Sequence, residues 1–241
     1  MPTETSLPDH GGETATVLRV SDGDTIEVRT GAGTITVRLD GINAPDSGEC
    51  YHQEAATELR RTLLNETVII ETRGNDQFGR TLALVWHDDL MINLELVGSG
   101  YAIATTPLLP GMSSAENSAY REGLGLWGSE ACGTGPIPTI EIDFARSVVD
   151  PPGPDNIDQE VLYIRNPSSE PVDLTAWVLR DESSRHRYHF KNGTMLAAGT
   201  AIGVRSSDPG WDPGGSAVWN NDGDIIILLD PHGRVVSMHR Y

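Results

Sequence analysis

Two carboxylates, Asp22 and Asp24, flank Gly23 in the turn SDGD (21–24), at the end of a short β-branched run. Arg38, Asn43 and Asp46 follow in VRLDGINAPD (37–46), and Arg80 closes the polar turn NDQFGR (75–80) just as the next apolar run begins. Carboxylate and amide oxygens suit a hard cation such as Ca²⁺. A pair of guanidinium groups suits the equatorial oxygens of a phosphoryl transition state. Together these residue types describe a phosphodiester site. Each has a plainer reading by itself, because DGD is a common hairpin turn and an arginine at a strand end is ordinarily a solvated or surface-paired cation. The combination carries the inference.

The elements that must position these groups can be read from periodicity. Thr14–Val20, Thr25–Arg29 and Thr34–Leu39 are short runs with partial alternation, separated by the turn formers SDGD and TGAG, and so predict strands joined by tight turns. Residues 51–65 change to a helical period, with Ala55, Ala56, Leu59 and Leu63 spaced by three and four. Strands resume at Thr67–Arg73 and Thr81–His87, a short helix follows over Ile92–Val97, and a third helix is expected to begin with Ser113 or Ser114 as its N-cap. Five strands with about three helices make the inventory of a small closed barrel with helices packed on it.

These same residues resemble the staphylococcal-nuclease-like, or thermonuclease, family. The likeness runs over about residues 14–127 and keeps its pieces in order: DGDT (22–25), VRLDGINAPD (37–46), a helix containing QEA (53–55), DQFGR followed by TLALV (76–85), INLELVGSGYA (92–102), and a closing GLW (125–127). The resemblance implies an OB-fold and Ca²⁺-dependent endonucleolytic hydrolysis of DNA and RNA that leaves 3′-phosphate ends. Asp24 and Asn43 then take the two side-chain metal positions, and Ala44 offers its backbone carbonyl. Arg38 and Arg80 take the positions of the phosphate-clamping arginines, Asp46 that of the general base, and Asp76 and Phe78 lie against substrate. Four departures bear on this. Asn43 stands where the staphylococcal enzyme has aspartate, which removes a negative ligand. Asp46 replaces glutamate, which withdraws the carboxylate by one methylene. Phe78 replaces tyrosine and loses its hydroxyl, and ATTPLLP (104–110) lacks aromatic residues for stacking a base.

Beyond Trp127 the composition breaks at GSEACGTGPIP, which reads as a linker, and the helical period disappears. Glu160–Asn166, Pro171–Arg180, Arg187–Phe190, Ala201–Val204, Asp224–Asp230 and Gly233–Met238 read as strands at roughly ten-residue spacing, the pattern of an antiparallel sandwich. The segments DQEVLYIRNPSSEPVDLTAWVLRDE (158–182), HRYHF (186–190) and SAVWNNDGDIIILLD (216–230) resemble a lamin-tail domain, an immunoglobulin-like sandwich. That likeness implies an interaction module and names no ligand. The expected organisation is therefore mainly β: a nuclease-like barrel over 14–130, a linker over 131–137 and a sandwich over 138–241. Trp177, Trp211 and Trp219 could serve either as sandwich core or as an exposed binding face. The acidic loop 150–160 lacks EF-hand spacing and reads as a turn. In HRYH, strand alternation puts His186 and His189 on opposite faces, which argues against a shared metal.

Charge excludes gripping a nucleic acid by bulk electrostatics. The chain of 241 residues carries 17 basic and 35 acidic residues for a net charge of −18, and Lys191 is its one lysine. Both halves are acidic, so a few placed arginines and a cation must do any phosphate binding. Composition is that of a globular protein, with no apolar run near the roughly 20 residues needed to span a bilayer and no apolar segment in MPTETSLPDHGGE to act as a signal. Cys50 and Cys132 are too few for a disulfide scaffold or a four-cysteine zinc site. If they pair, they close a loop of about 80 residues, worth roughly 4–5 kcal/mol in the chain-entropy account, and favour an oxidising compartment. The likeness to an enzyme with an appended tail implies export with a signal segment outside this numbering, with a cytoplasmic location as the alternative. The expectation is a monomeric nuclease acting on DNA and RNA whose sandwich meets a surface or protein ligand. The rival reading is a binding module that Asn43 and Asp46 have weakened catalytically.

Overall fold

Alternation of β-branched residues becomes a closed barrel because each strand has one face to bury. In the computed structural model, residues 11–133, 135–149, 151, 156–182, 185–220 and 223–241 are described. The chain divides into two units, one of residues up to Ser47 with Tyr51–Ala104 and Leu108–Gly125, the other of Gly48–Cys50, Thr105–Pro107 and Leu126–Tyr241.

The first unit contains β1 (Glu13–Val20), β2 (Thr25–Thr30), β3 (Gly33–Leu39), β4 (Ile42–Asn43), α1 (His52–Leu63), β5 (Thr67–Asn75), β6 (Thr81–His87), β7 (Leu90–Met91), α2 (Ile92–Gly98), β8 (Ile103–Ala104) and α3 (Met112–Glu122). Its sheet runs β3-β2-β1-β5-β6-β7, and an added parallel pairing of β3 with β6 closes five strands into the barrel. Val17, Ile26, Val28, Val37, Val68, Ala83 and Val85 are completely buried inside it, and α1 adds Ala55, Leu59 and Leu63. The strand and helix inventory expected from the sequence is present. The third helix differs at its start: Gly111, in the left-handed region at φ 85°, precedes Met112 as cap, and neither Ser113 nor Ser114 takes that role. A turn that enters a helix through positive φ favours glycine over serine.

In the second unit, β9 (Glu141–Ile142), β10 (Val161–Arg165) and β15 (Ala201–Arg205) form a sheet ordered β15-β10-β9. β11 (Val172–Asp173) pairs with β14 (Met195–Leu196), and β12 (Val178–Arg180), β13 (Arg187–His189), β16 (Trp211–Asp212), β17 (Ile225–Leu229) and β18 (Val235–Arg240) form a sheet ordered β16-β13-β12-β17-β18. Every residue of β17 is buried, as befits an interior strand covered on both faces. The expected single strand Pro171–Arg180 is broken in two. Asp173 Oδ1 accepts the Thr175 N–H at 2.9 Å and its hydroxyl at 2.6 Å, and Ala176 then turns through φ 63°, so local side-chain bonding outcompetes the ladder there. Trp177, Trp211 and Trp219 belong to the core, with Trp211 and Trp219 packed edge to face at 5.8 Å. Cys50 and Cys132 form a disulfide with a Cα–Cα separation of 5.6 Å. Thr134 of the expected linker, and Asp150 and Asp155 of the acidic loop, lie outside the described residues.

One buried amide ties the barrel to its second helix. Asn93, fully buried, accepts the Val85 N–H at 2.9 Å and donates to the carbonyls of Asp40 at 2.8 Å and Ala83 at 3.1 Å. Replacing it by alanine takes the side-chain partner from the buried Val85 N–H and from the Asp40 carbonyl, while the Ala83 carbonyl keeps the Asp40 N–H at 2.8 Å. Asn93→Ala is expected to lower the unfolding free energy of the barrel by about 3 kcal/mol in urea denaturation followed by circular dichroism, against less than about 1 kcal/mol for an exposed surface control.

Candidate active site

Strand register builds the centre of the site. Thr25 on β2 lies opposite Arg38 on β3, so the residue just before β2, Asp24, falls beside that arginine. Asp22 Oδ1 accepts the Asp24 N–H at 3.1 Å and shapes the turn, while the Asp24 carbonyl accepts the Leu39 N–H at 2.8 Å. Gly23 is required by proximity: a Cβ there would meet the Cβ atoms of Ala55 and Ala44 at 2.6 and 2.7 Å. The turn is thus wedged between α1 and the segment that follows β4.

Asp24 is 5% exposed, and its carboxylate is met on several sides. Arg38 Nη1 lies 2.7 Å from Oδ2, the Ala44 N–H donates to the same oxygen at 2.7 Å, and the Thr25 hydroxyl donates to Oδ1 at 3.1 Å. Arg38 also donates from Nη2 to Asn43 Oδ1 at 2.9 Å. One guanidinium therefore bridges the two side-chain oxygens that the sequence marks as cation ligands. Burial outweighs the attraction of Arg38 and pushes the Asp24 carboxyl up to about 7, with the neighbouring Asp22 adding to the rise.

The remaining residues cluster by chain and by ladder. β4 pairs Asn43 with Ile103 on β8, and Glu116 on α3 accepts the Ala104 N–H at 2.9 Å, which fixes that pair. Asp46, half-buried, follows two residues after Ala44, and the intervening Pro45 carbonyl accepts a hydrogen bond from His52 Nδ1 at 2.9 Å at the start of α1. The parallel ladder pairs Val37 with Thr81 and Arg38 with Leu82, which brings Arg80, the residue before β6, to the strand beside Arg38. Asp76 shapes that approach. Its Oδ1 accepts the N–H groups of Phe78 at 2.8 Å and Arg80 at 2.9 Å, and its Oδ2 lies 2.6 Å from Arg80 Nε. Partial burial works to raise the Asp76 carboxyl, but these bonds hold it below the usual range. Asp76 is thus occupied in holding Arg80. Phe78 is 69% exposed, with the Arg80 guanidinium carbon 5.5 Å from its ring centre.

Thr25, His52, Asn93 and Glu116 also shape the site, and sequence reasoning misses them. Threonine opening a strand or asparagine opening a helix carries no signal beyond propensity, since each is common there for local reasons. Among the described residues, no group of three or more His, Cys, Asp or Glu could hold a metal ion. The donors that fit a cation are instead Asp24, the Asn43 amide oxygen and the Ala44 carbonyl. All three are hard oxygens, and Arg38 joins the Asp24 and Asn43 side chains.

A barrel that sets Arg38 between two buried oxygen donors, with Arg80 at the head of the strand paired to its own, fits a phosphodiester-hydrolysing enzyme, and comparison with known proteins agrees. Residues 36–129 match the Staphylococcal nuclease homologue family and residues 138–241 the Lamin Tail Domain. An uncharacterized endonuclease of Haemophilus influenzae is 35% identical over 117 residues, covering 47% of this chain and 66% of the relative. A micrococcal nuclease of Shigella flexneri is 33% identical over 135 residues, 51% of this chain and 78% of the relative, and a thermonuclease of Staphylococcus intermedius is 35% identical over 111 residues, 43% and 66%. The chain belongs to the staphylococcal nuclease homologue family, with a lamin tail domain following the nuclease domain.

The raised carboxyl of Asp24 has a measurable sign. Its ordinary value of 3.8 applies to the unfolded chain and about 7 to the folded one, so the folded state binds the proton more tightly. The stability this confers is complete below the unfolded value and is lost as pH rises through about 7. With chelator present, unfolding free energy of the barrel should fall between about pH 4 and pH 7, and Asp24→Asn should flatten that slope in denaturant titrations at each pH.

Proposed function

We propose that this protein is a Ca²⁺-dependent endonuclease that hydrolyses both DNA and RNA and leaves 3′-phosphate ends. The single observation that carries this reading is the bridge of Arg38 between Asp24 and Asn43, which concentrates a guanidinium and oxygen donors at one point of the barrel. Asp24, Asn43 and the Ala44 carbonyl would hold the cation. When bound, the cation supplies charge that neutralises a phosphate oxygen and lowers the pKa of nearby water.

The chain's own residues account for the rest. Arg38 and Arg80 each present fixed N–H donors to the equatorial oxygens of the pentacoordinate state, where negative charge grows. Asp76 orients Arg80 through its Nε, leaving the two terminal nitrogens of that guanidinium for phosphate. Asp46 accepts the proton of the attacking water. Its carboxylate is one methylene shorter than the glutamate it replaces, so its reach depends on backbone placement, which the Pro45–His52 hydrogen bond secures. Phe78 offers an exposed apolar ring to a nucleotide base. The lamin tail domain serves as the targeting module, and the Cys50–Cys132 disulfide supports an exported protein.

The test is digestion of plasmid and single-stranded DNA, and of RNA, with Ca²⁺ or with chelator, by the wild-type chain and by Arg38→Ala and Arg80→Ala. Cleavage is expected only with the cation and should fall by about 10²–10³-fold in each variant. Retained binding without cleavage in the wild type would favour the binding-module reading and contradict the enzyme.

A further inference from the structure

A second chemical constellation lies wholly within the sandwich and shares no residue with the candidate active site. β12 and β13 form a hairpin in which Arg180 opposes Arg187, so the next residues outward, Asp181 and His186, fall opposite one another. Asp181 is 2% exposed, and its Oδ2 lies 2.8 Å from His186 Nδ1. β16 pairs with β13 on the other side, Arg187 opposite Asp212, and leads into the loop Gly214–Ala217. That loop brings Ser216 Oγ within 3.3 Å of His186 Nε2. Two residues on, the Val218 N–H is anchored on Glu160 Oε2 at 3.2 Å, with Val218 and Trp219 in the core.

The chain of contacts fixes the tautomer. An ionised carboxylate can only accept, so His186 donates from Nδ1 to Asp181 and keeps a lone pair on Nε2, which accepts the Ser216 hydroxyl proton. A buried acid orienting an imidazole that faces an exposed hydroxyl is the relation of orienter, base and nucleophile. The backbone N–H groups nearest the hydroxyl in sequence, those of Gly215, Ser216 and Ala217, belong to the same surface loop and are the donors a developing oxyanion would call on.

We propose that Asp181, His186 and Ser216 form a second, metal-independent site that cleaves small carboxylic esters through an acyl-serine intermediate. Ser216 Oγ attacks the acyl carbon while its proton passes to His186 Nε2. The C–O bond to the alcohol breaks, and the leaving alkoxide takes the proton from Nε2. Water then repeats the sequence, giving its proton to Nε2 as it attacks, and the released Ser216 Oγ recovers the proton. Asp181 touches no substrate and is a positioning residue. The exposed position of Ser216 suits short acyl groups presented at the surface.

The experiment treats the full chain, in chelator, with a fluorophosphonate and separately with p-nitrophenyl acetate. Peptide mass spectrometry should find one phosphonyl adduct, on Ser216, and p-nitrophenol should be released with a burst. Ser216→Ala, at an exposed position that carries no fold, should abolish the adduct and the burst. His186→Asn should slow labelling of Ser216 by about 10³-fold, with a thermal melt establishing that it is folded; if it is not, Asp181→Asn replaces it with the same expectation. Absence of an adduct on Ser216, or labelling at an unchanged rate in the folded His186 or Asp181 variant, would show that the three residues only brace the loop. Chelator silences the proposed nuclease site, so neither result depends on it.

Discussion

The carboxylate of Asp24 is buried where water cannot solvate it, and the neighbouring geometry is arranged around that cost. A lone ionised carboxyl at such depth is expensive unless cations and N–H donors surround it. Arg38 supplies the cation, Ala44 and Thr25 supply donors, and Arg38 in turn reaches Asn43. Even so, burial leaves the carboxyl near 7, so the folded chain retains affinity for a further positive charge. That imbalance destabilises the ionised apoprotein at neutral pH, and a cation bound beside Asp24 would relieve it.

Several features that look merely structural serve that arrangement. Closure of the barrel through the parallel β3–β6 ladder brings Arg80 to the strand beside Arg38, although the two lie 42 positions apart in sequence. Asn93 and Glu116 use buried side chains to satisfy backbone groups next to β6, β3 and β8, elements that carry or border the site. Asp76 holds Arg80 by a contact local to its own turn, and this arginine is about twice as exposed as Arg38. One arginine is therefore part of the buried network and the other sits at the more open edge of the site. The two need not contribute equally to binding and to the transition state.

Much of this arrangement is legible in the amino-acid sequence. The apolar spacing of Ala55, Ala56, Leu59 and Leu63 predicts the buried face of α1, and alternation in the early strands predicts the barrel, because period and burial are local properties of sequence. The ordered motifs from DGDT to GLW bring the family into view, with Asp24 lying ahead of the segment the family match covers. Contacts made by ordinary polar residues across the fold are not legible in that way. Asn93 bonds to Asp40, 53 positions away, and nothing in INLELVG distinguishes it from a helix cap. Pro171–Arg180 looks like one strand because propensity does not register the Asp173–Thr175 bonds that interrupt it. The relation of His186 to Asp181 is hidden in the same way, by a hairpin register that sequence alone does not specify.

The account stands on Asp24 as the anionic anchor of a cation. Calorimetric titration of Ca²⁺ into the chelator-treated full chain at pH 7 tests this directly, repeated in buffers of different ionisation enthalpy. One ion per chain should bind with partial proton release, and Asp24→Asn should abolish both signals while Asp22→Asn retains them. Binding of undiminished affinity in folded Asp24→Asn, or no binding in the wild type, would contradict it.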